Sequence, residues 1–189
     1  PIGRATLSRV VLKNARSFWT AQGVAVGGSF SLRDSRVENI SEVSYVWYPE
    51  EDVAIEHNVF VDAAGFSIGH SDANVFVRGN RFVSFNPQLL SQGELGSFDS
   101  AFWVENWAAY FGTTTVVEQN AFLTTGKIAV QLPAEFDDAA LLATNNFWGT
   151  TDGSVISTMI FDANDNDLSA GVIDAAPVLS DIPLGVPSE

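Results

Sequence analysis

The segment Val53–Phe60, VAIEHNVF, returns as VFVRGNRF at Val75–Phe82, as TVVEQNAF at Thr115–Phe122 and as LLATNNFW at Leu141–Trp148. A chain that reuses one short pattern is built from one supersecondary unit stacked many times, and no other feature narrows its fold as much. Two weaker copies precede these four, ATLSRVVL at Ala5–Leu12 and FSLRDSRV at Phe30–Val37. Anchored on Val10, Ser35, Asn58, Asn80, Asn120 and Asn146, the spacings are 25, 23, 22, 40 and 26 residues. All but one lie near a single period.

The columns of the repeat say what the unit is. Three positions before each anchor stand Leu7, Leu32, Ile55, Val77, Val117 and Ala143, all apolar. Two positions after it stand Leu12, Val37, Phe60, Phe82, Phe122 and Trp148, again all apolar. Four after it come Asn14, Asn39, Asp62, Ser84, Thr124 and Thr150, small and polar throughout. Alternation of period two predicts strands with one buried face. Short further alternations follow in most copies, in GVAVGG, SYVWYP, GFSIGH and GKIAVQL. No helical pattern of about 10–15 residues separates the copies, which argues against a doubly wound α/β fold. A period in the low twenties fits one coil of a solenoid. Leucine-rich repeats share that period, but their Leu-x-x-Leu-x-Leu signature is missing.

From Ala5 to about Pro183 the pattern resembles the right-handed parallel β-helix proteins of the pectate-lyase-like superfamily. NNFWGT at Asn145–Thr150, with the acidic stretch to Leu179 behind it, resembles an N-N-W-W-G-T segment that closes the C-terminal end in that family, although Phe147 replaces the first aromatic. The resemblance implies an all-β chain, a right-handed parallel β-helix of about six coils with a C-terminal cap. Residues 1–183 are read as one domain, with an insert over about 86–113 and a cap over about 147–183; residues 184–189 are read as a linker or tail. In such a stack Asn58, Asn80, Asn120 and Asn146 form a structural ladder at one turn. Asn tolerates left-handed backbone, and its amide bonds to the amides above and below. The fold by itself implies no activity.

Charge and composition limit the partners. The formal net charge is -14, and no basic stripe exists to replace phosphate counterions, so nucleic acid is excluded as a partner. Anionic membranes and polyuronates are disfavoured for the same reason. There is no cysteine, which removes disulfides and thiolate chemistry. No apolar run of about 18 residues is present, so no membrane span is predicted. The N-terminus PIGRATLSR lacks the shape of a signal peptide, which predicts a leader already removed or a start inside a longer protein.

Outward positions are where chemistry would sit. Two residues before the anchors stand Ser8, Arg33, Glu56, Arg78, Glu118 and Thr144. The alternating signs predict a cross-strand charge ladder; the rival reading is an arginine base beside carboxylates, as in polysaccharide lyases of this fold. The paired Asp and Gly-His-Gly of polygalacturonases are missing, and IGHS keeps only His70. His57 and His70 have no partner motif and read as exposed residues. DANDND, Asp162–Asp167, offers Asp162, Asn164 and Asn166 at alternate positions, either as calcium ligands or as an Asx-rich turn.

The long spacing between Asn80 and Asn120 marks an insert rich in Trp103, Trp107 and Tyr110, with Asp99 and Glu105 among them. SYVWYPEED adds Trp47, Tyr48 and Glu50. Solenoid insertions map to loops on one face, often the binding face, and aromatics beside carboxylates are what a sugar platform needs. We therefore expect a glycan or polysaccharide ligand on Trp47, Tyr48, Trp103, Trp107 and Tyr110, in a secreted carbohydrate-binding or surface-recognition module that is part of a longer protein. The alternatives are a glycoside hydrolase using paired carboxylates drawn from Glu50, Asp99 and Glu105, less readily a polysaccharide lyase, or a non-catalytic spacer. The uncapped first copy predicts either upstream coils or end-to-end self-association.

Overall fold

The computed structural model describes residues 4–15, 20–21, 29–40, 44–47, 49–63, 65–71, 73–84, 105–109, 115–132, 141–169 and 171–189. The first copy supplies β1 (Arg4–Ser8), β2 (Val11–Ala15) and β3 (Thr20–Ala21). The second supplies β4 (Ser29–Arg33), β5 (Arg36–Ile40) and β6 (Ser44–Trp47), and the third β7 (Val53–Glu56), β8 (Val59–Ala63) and β9 (Phe66–Ser71). The fourth holds β10 (Val75–Arg78), β11 (Arg81–Phe82) and β12 (Glu105–Ala109); the fifth holds β13 (Thr115–Glu118), β14 (Ala121–Phe122) and β15 (Val130–Gln131). After β16 (Leu141–Leu142) come the one-turn helix α1 (Gly153–Ser157) and β17 (Ile160–Phe161).

Every pairing among these strands is parallel and joins one copy to the next. A six-stranded sheet runs β1-β4-β7-β10-β13-β16, a five-stranded one β14-β11-β8-β5-β2, and a four-stranded one β12-β9-β6-β3. Among the described residues the protein is all-β, with stacked parallel sheets and almost no helix, an arrangement consistent with a β-helix-like solenoid. Among the described residues no helix is long and apolar enough to cross a membrane.

The apolar columns of the sequence are the core. Leu32, Ile55, Val77, Val117 and Ala143 of the first column, and Val37, Phe60, Phe82, Phe122 and Trp148 of the second, are all buried. The rings in the second column stack face to face, Phe60 on Phe82 and Phe82 on Phe122 at 4.9 Å, and Phe122 on Trp148 at 5.0 Å. That separation is the distance between paired strands, about 4.8 Å, so in-register pairing itself brings like rings into contact.

The asparagine ladder runs beside this stack. The backbone N–H of Asn58 donates to Asn80 Oδ1, that of Asn80 to Asn120 Oδ1 and that of Asn120 to Asn146 Oδ1, each at 2.9 Å. Each side-chain Nδ2 also donates to the next Oδ1 at 3.0 Å. The second Nδ2 hydrogen goes to a strand carbonyl of the preceding copy, Leu32, Ile55, Val77 and Val117 in turn. Ser35 continues the line with shorter reach, donating its N–H to Asn58 Oδ1 and accepting from Val10 N–H. All four asparagines are fully buried, so these bonds satisfy groups that have no access to water.

The structure moves the left-handed backbone away from where the sequence reading put it. The residues just before the anchors, Arg9, Asp34, His57, Gly79, Gln119 and Asn145, all have positive φ, and the asparagines of the ladder do not. The corner is turned one residue early, which leaves each asparagine free to lie along the stack. A second left-handed corner occurs at Asn14, Asn39 and Asp62, the small polar column four residues after the anchor. It too is laddered: Asn39 Nδ2 donates to Asn14 Oδ1 at 2.7 Å, and Ser84 Oγ donates to Asp62 Oδ1 at 2.7 Å. Gly79 meets a further demand, because a Cβ there would lie 2.7 Å from His57 Cδ2.

At the C-terminal end Asp152 caps α1 by accepting from Ser154 N–H at 2.9 Å, and β17 pairs with β15. The tail then turns back along the stack. Leu179 N–H donates to Asn146 O, and further on Arg81 Nε donates to Pro187 O at 2.6 Å. Residues 184–189, expected as a linker or tail, thus reach the second sheet two copies before the end.

Asn80→Ala tests the ladder. It strips Asn58 N–H of its acceptor and Ile55 O of its donor, each worth about 1–3 kcal/mol when buried and unmet. Chemical unfolding should show a loss in that range or above; a variant as stable as the parent would mean the amide stack carries no stability.

Candidate functional site

On the outer face of the first sheet the charged column is in register, with Ser8 beside Arg33, then Glu56, Arg78 and Glu118. Arg33 is ion-paired with Glu56, and Arg78 Nε lies 2.7 Å from Glu118 Oε1. The Arg78 guanidinium also sits 4.3 Å above the Phe76 ring. Both arginines are therefore engaged by neighbours on the sheet, as a cross-strand ladder requires, and each half-exposed pair adds about 0.2–1 kcal/mol.

The outer face of the third sheet has a different character. β6, β9 and β12 pair so that Val46, Ile68 and Asn106 occupy one register position, Trp47, Gly69 and Trp107 the next, and Tyr45, Ser67 and Glu105 the one before. Val46 is buried in the core. Alternation along a strand therefore puts the Val46 column on the inner face of the pleat and both flanking columns on the outer face. Two tryptophan positions from parts of the chain 60 residues apart thus share one column, with a glycine position between them. A tyrosine and a glutamate position share the neighbouring column.

The insert makes this possible by where it falls. The extra residues enter between β11 and β12, so the unusual spacing hides a regular third strand, and β12 takes its place next to β9. Sequence reasoning singled out Trp47, Trp107 and Glu105 but missed Tyr45, Ser67 and Gly69. The short alternations SYVW and GFSIGHS carried that signal, and only strand register aligns them with the insert. Tyr48, Asp99, Trp103 and Tyr110 lie outside the described residues.

The remaining candidates are dispersed. Glu50 is exposed in the turn after β6, next to Glu51, which holds Arg4 by two hydrogen bonds of 2.8 and 2.9 Å. His70 is in β9. His57 is exposed at a left-handed corner and helps line a cavity of about 500 Å³, together with Arg9, Asp34, Arg36 and the tail residues Gly185 and Pro187–Glu189. In DANDND the Asp162 carboxylate is buried and accepts from Asn164 N–H through Oδ1 (2.8 Å) and from Ile173 N–H through Oδ2 (2.7 Å). This is the geometry of an Asx turn fastened to a second segment. Among the described residues no three His, Asp or Glu side chains are grouped to hold a metal ion.

Comparison of the chain with models of protein families, with curated proteins and with solved structures gives no match.

The Arg4–Glu51 bridge ties the first copy to the turn after β6. Hydrogen bonding from Arg4, reinforced by its charge, holds the Glu51 carboxyl below its ordinary range. A carboxylate lowered by folding stabilises above its unfolded-state value and loses that contribution as pH falls through the folded-state value. Glu51→Gln should therefore lower the melting temperature at neutral pH and merge with the parent in strong acid. An equal offset in thermal scans at both pH values would show that ionisation of Glu51 contributes nothing.

Proposed function

We propose that the chain is a right-handed parallel β-helix of about six coils that acts as an extracellular carbohydrate-binding or surface-recognition module, with its ligand on the outer face of the third sheet. Right-handedness is supported by strand twist, which favours right-handed crossovers between parallel strands. The observation that carries the functional reading is the shared register of Trp47, Gly69 and Trp107 beside Tyr45, Ser67 and Glu105.

Two strand spacings separate the tryptophan positions, about 9.6 Å along the stack. That is room for separate rings of one extended chain to lie over each indole, while the glycine position between adds no bulk. Indole and phenol faces suit the C–H faces of pyranoses, and the Glu105 and Ser67 positions supply hydroxyl acceptors on the adjoining column. The net charge of -14 favours a neutral glycan over a polyuronate.

Trp47→Ala with Trp107→Ala is the test. Each ring is worth about 1 kcal/mol or more, so retention on a neutral glycan should fall tenfold or further, while the melting temperature stays within a few degrees. A glycan array without a hit for the parent, or a double variant that unfolds like a core mutant, overturns the proposal. Release of shorter glycans by the parent would instead make the face a hydrolase cleft, with Glu105 as one of two carboxylates.

A further inference from the structure

The row of Trp47, Gly69 and Trp107 positions is straight as well as spaced. β6, β9 and β12 pair with no residue offset along it. In the core the rings of Phe60 and Phe82 are 10° from parallel and those of Phe82 and Phe122 are 8°, both at 4.9 Å, so successive copies stack with little tilt. A row of like positions therefore runs nearly straight along the stack. Its two borders differ. One holds Tyr45, Ser67 and Glu105, in register two residues before the row. The other holds Ser71 and Ala109, in register two residues after it. Along the first border the large residues fall level with the tryptophan positions, and the small Ser67 falls level with Gly69.

Neutral glycans differ in how each sugar is turned on the one before it. In a β-1,4-linked pyranose chain every sugar is flipped, so the chain is a straight, flat ribbon, and sugars two apart present the same face and the same edge. An α-1,4 chain coils and a β-1,3 chain curves, so neither keeps such sugars in line over a straight row. The tryptophan positions are two strand spacings apart, about 9.6 Å, which matches the length of two sugars in an extended ribbon. The row thus repeats with the ribbon. Sugars over Trp47 and Trp107 turn one edge towards the Tyr45 and Glu105 positions, and the flipped sugar over Gly69 turns its other edge towards Ser67. In a hexose ribbon one edge carries the ring hydroxyls and the other the bulkier hydroxymethyl group. Tyrosine and glutamate suit the hydroxyl edge as hydrogen-bond partners, while a serine leaves room for the hydroxymethyl of the middle sugar.

Resting on the glycan-binding reading of this face, we infer that its ligand is a neutral β-1,4-linked hexose chain lying along the stack, with three consecutive sugars over Trp47, Gly69 and Trp107. The row selects the linkage through its straightness and spacing. The Tyr45, Ser67 and Glu105 border selects how the chain is turned.

Calorimetric titration with hexasaccharides that differ in linkage tests this: β-1,4 glucose, β-1,4 mannose, α-1,4 glucose and β-1,3 glucose. The parent should bind one of the β-1,4 hexamers about tenfold or more tighter than the α-1,4 and β-1,3 hexamers. Within that β-1,4 series affinity should rise about tenfold from disaccharide to trisaccharide, because only the trisaccharide reaches both tryptophan positions. Trp107→Ala, checked by circular dichroism to fold like the parent, should lose that step, so that the trisaccharide binds like the disaccharide. A parent that binds none of the four hexamers removes the glycan-binding reading and this inference with it. Equal binding of all linkages, or preference for the α-1,4 or β-1,3 hexamer, leaves that reading standing and overturns only the straight β-1,4 chain. A β-1,4 series with no step at the trisaccharide overturns it as well.

Discussion

The buried amide stack at the corner after the first sheet is the interaction on which the other regularities depend. Asn58, Asn80, Asn120 and Asn146 each use both amide hydrogens and the carbonyl oxygen across two copies, so a shift of one residue in any copy would orphan several buried groups together. A ladder of this kind is a register lock. Left-handed corners at Arg9, Asp34, His57, Gly79, Gln119 and Asn145 aim each copy into it, and the ladder offsets the backbone strain of the corners that are not glycine.

Once register is locked, like positions stack on like at strand separation, and each column must be composed for contact with itself. Aromatic rings satisfy this in the core, as Phe60, Phe82, Phe122 and Trp148 do. Charges satisfy it only by alternating, since like charges facing across strands repel, and Arg33, Glu56, Arg78 and Glu118 alternate. On the third sheet the column of Trp47, Gly69 and Trp107 follows neither rule. It spaces its large residues instead of stacking them, and that departure is why we read this face as functional.

The lock also explains how the fold tolerates an insert. Extra residues between β11 and β12 leave both flanking strands in phase, because pairing is judged strand by strand and loop closure costs little per added residue. The ends are governed differently. A repeat in the middle is covered by its neighbours, whereas a terminal one must be covered by something else. The C-terminal end uses α1, β17 and the Asp162 turn.

The amino-acid sequence by itself determined the repeat, the inward columns, the asparagine ladder and the alternating charge column, because each depends on one copy meeting its neighbour one period away. Trp47, Trp107 and Glu105 were legible as unusual residues, but their relation was not. Trp107 sits behind an insert that hides the phase of its strand, and only pairing of β12 with β9 puts it in the column of Gly69 and Trp47. The left-handed corner one residue before each asparagine, the return of the tail to Arg81 and the carboxylate of Asp162 fastened to Ile173 were likewise decided by tertiary structure. Short-range pattern records which residues must be buried. Long-range register decides which of the exposed ones meet, because backbone pairing between distant segments sets their alignment and no local preference encodes it.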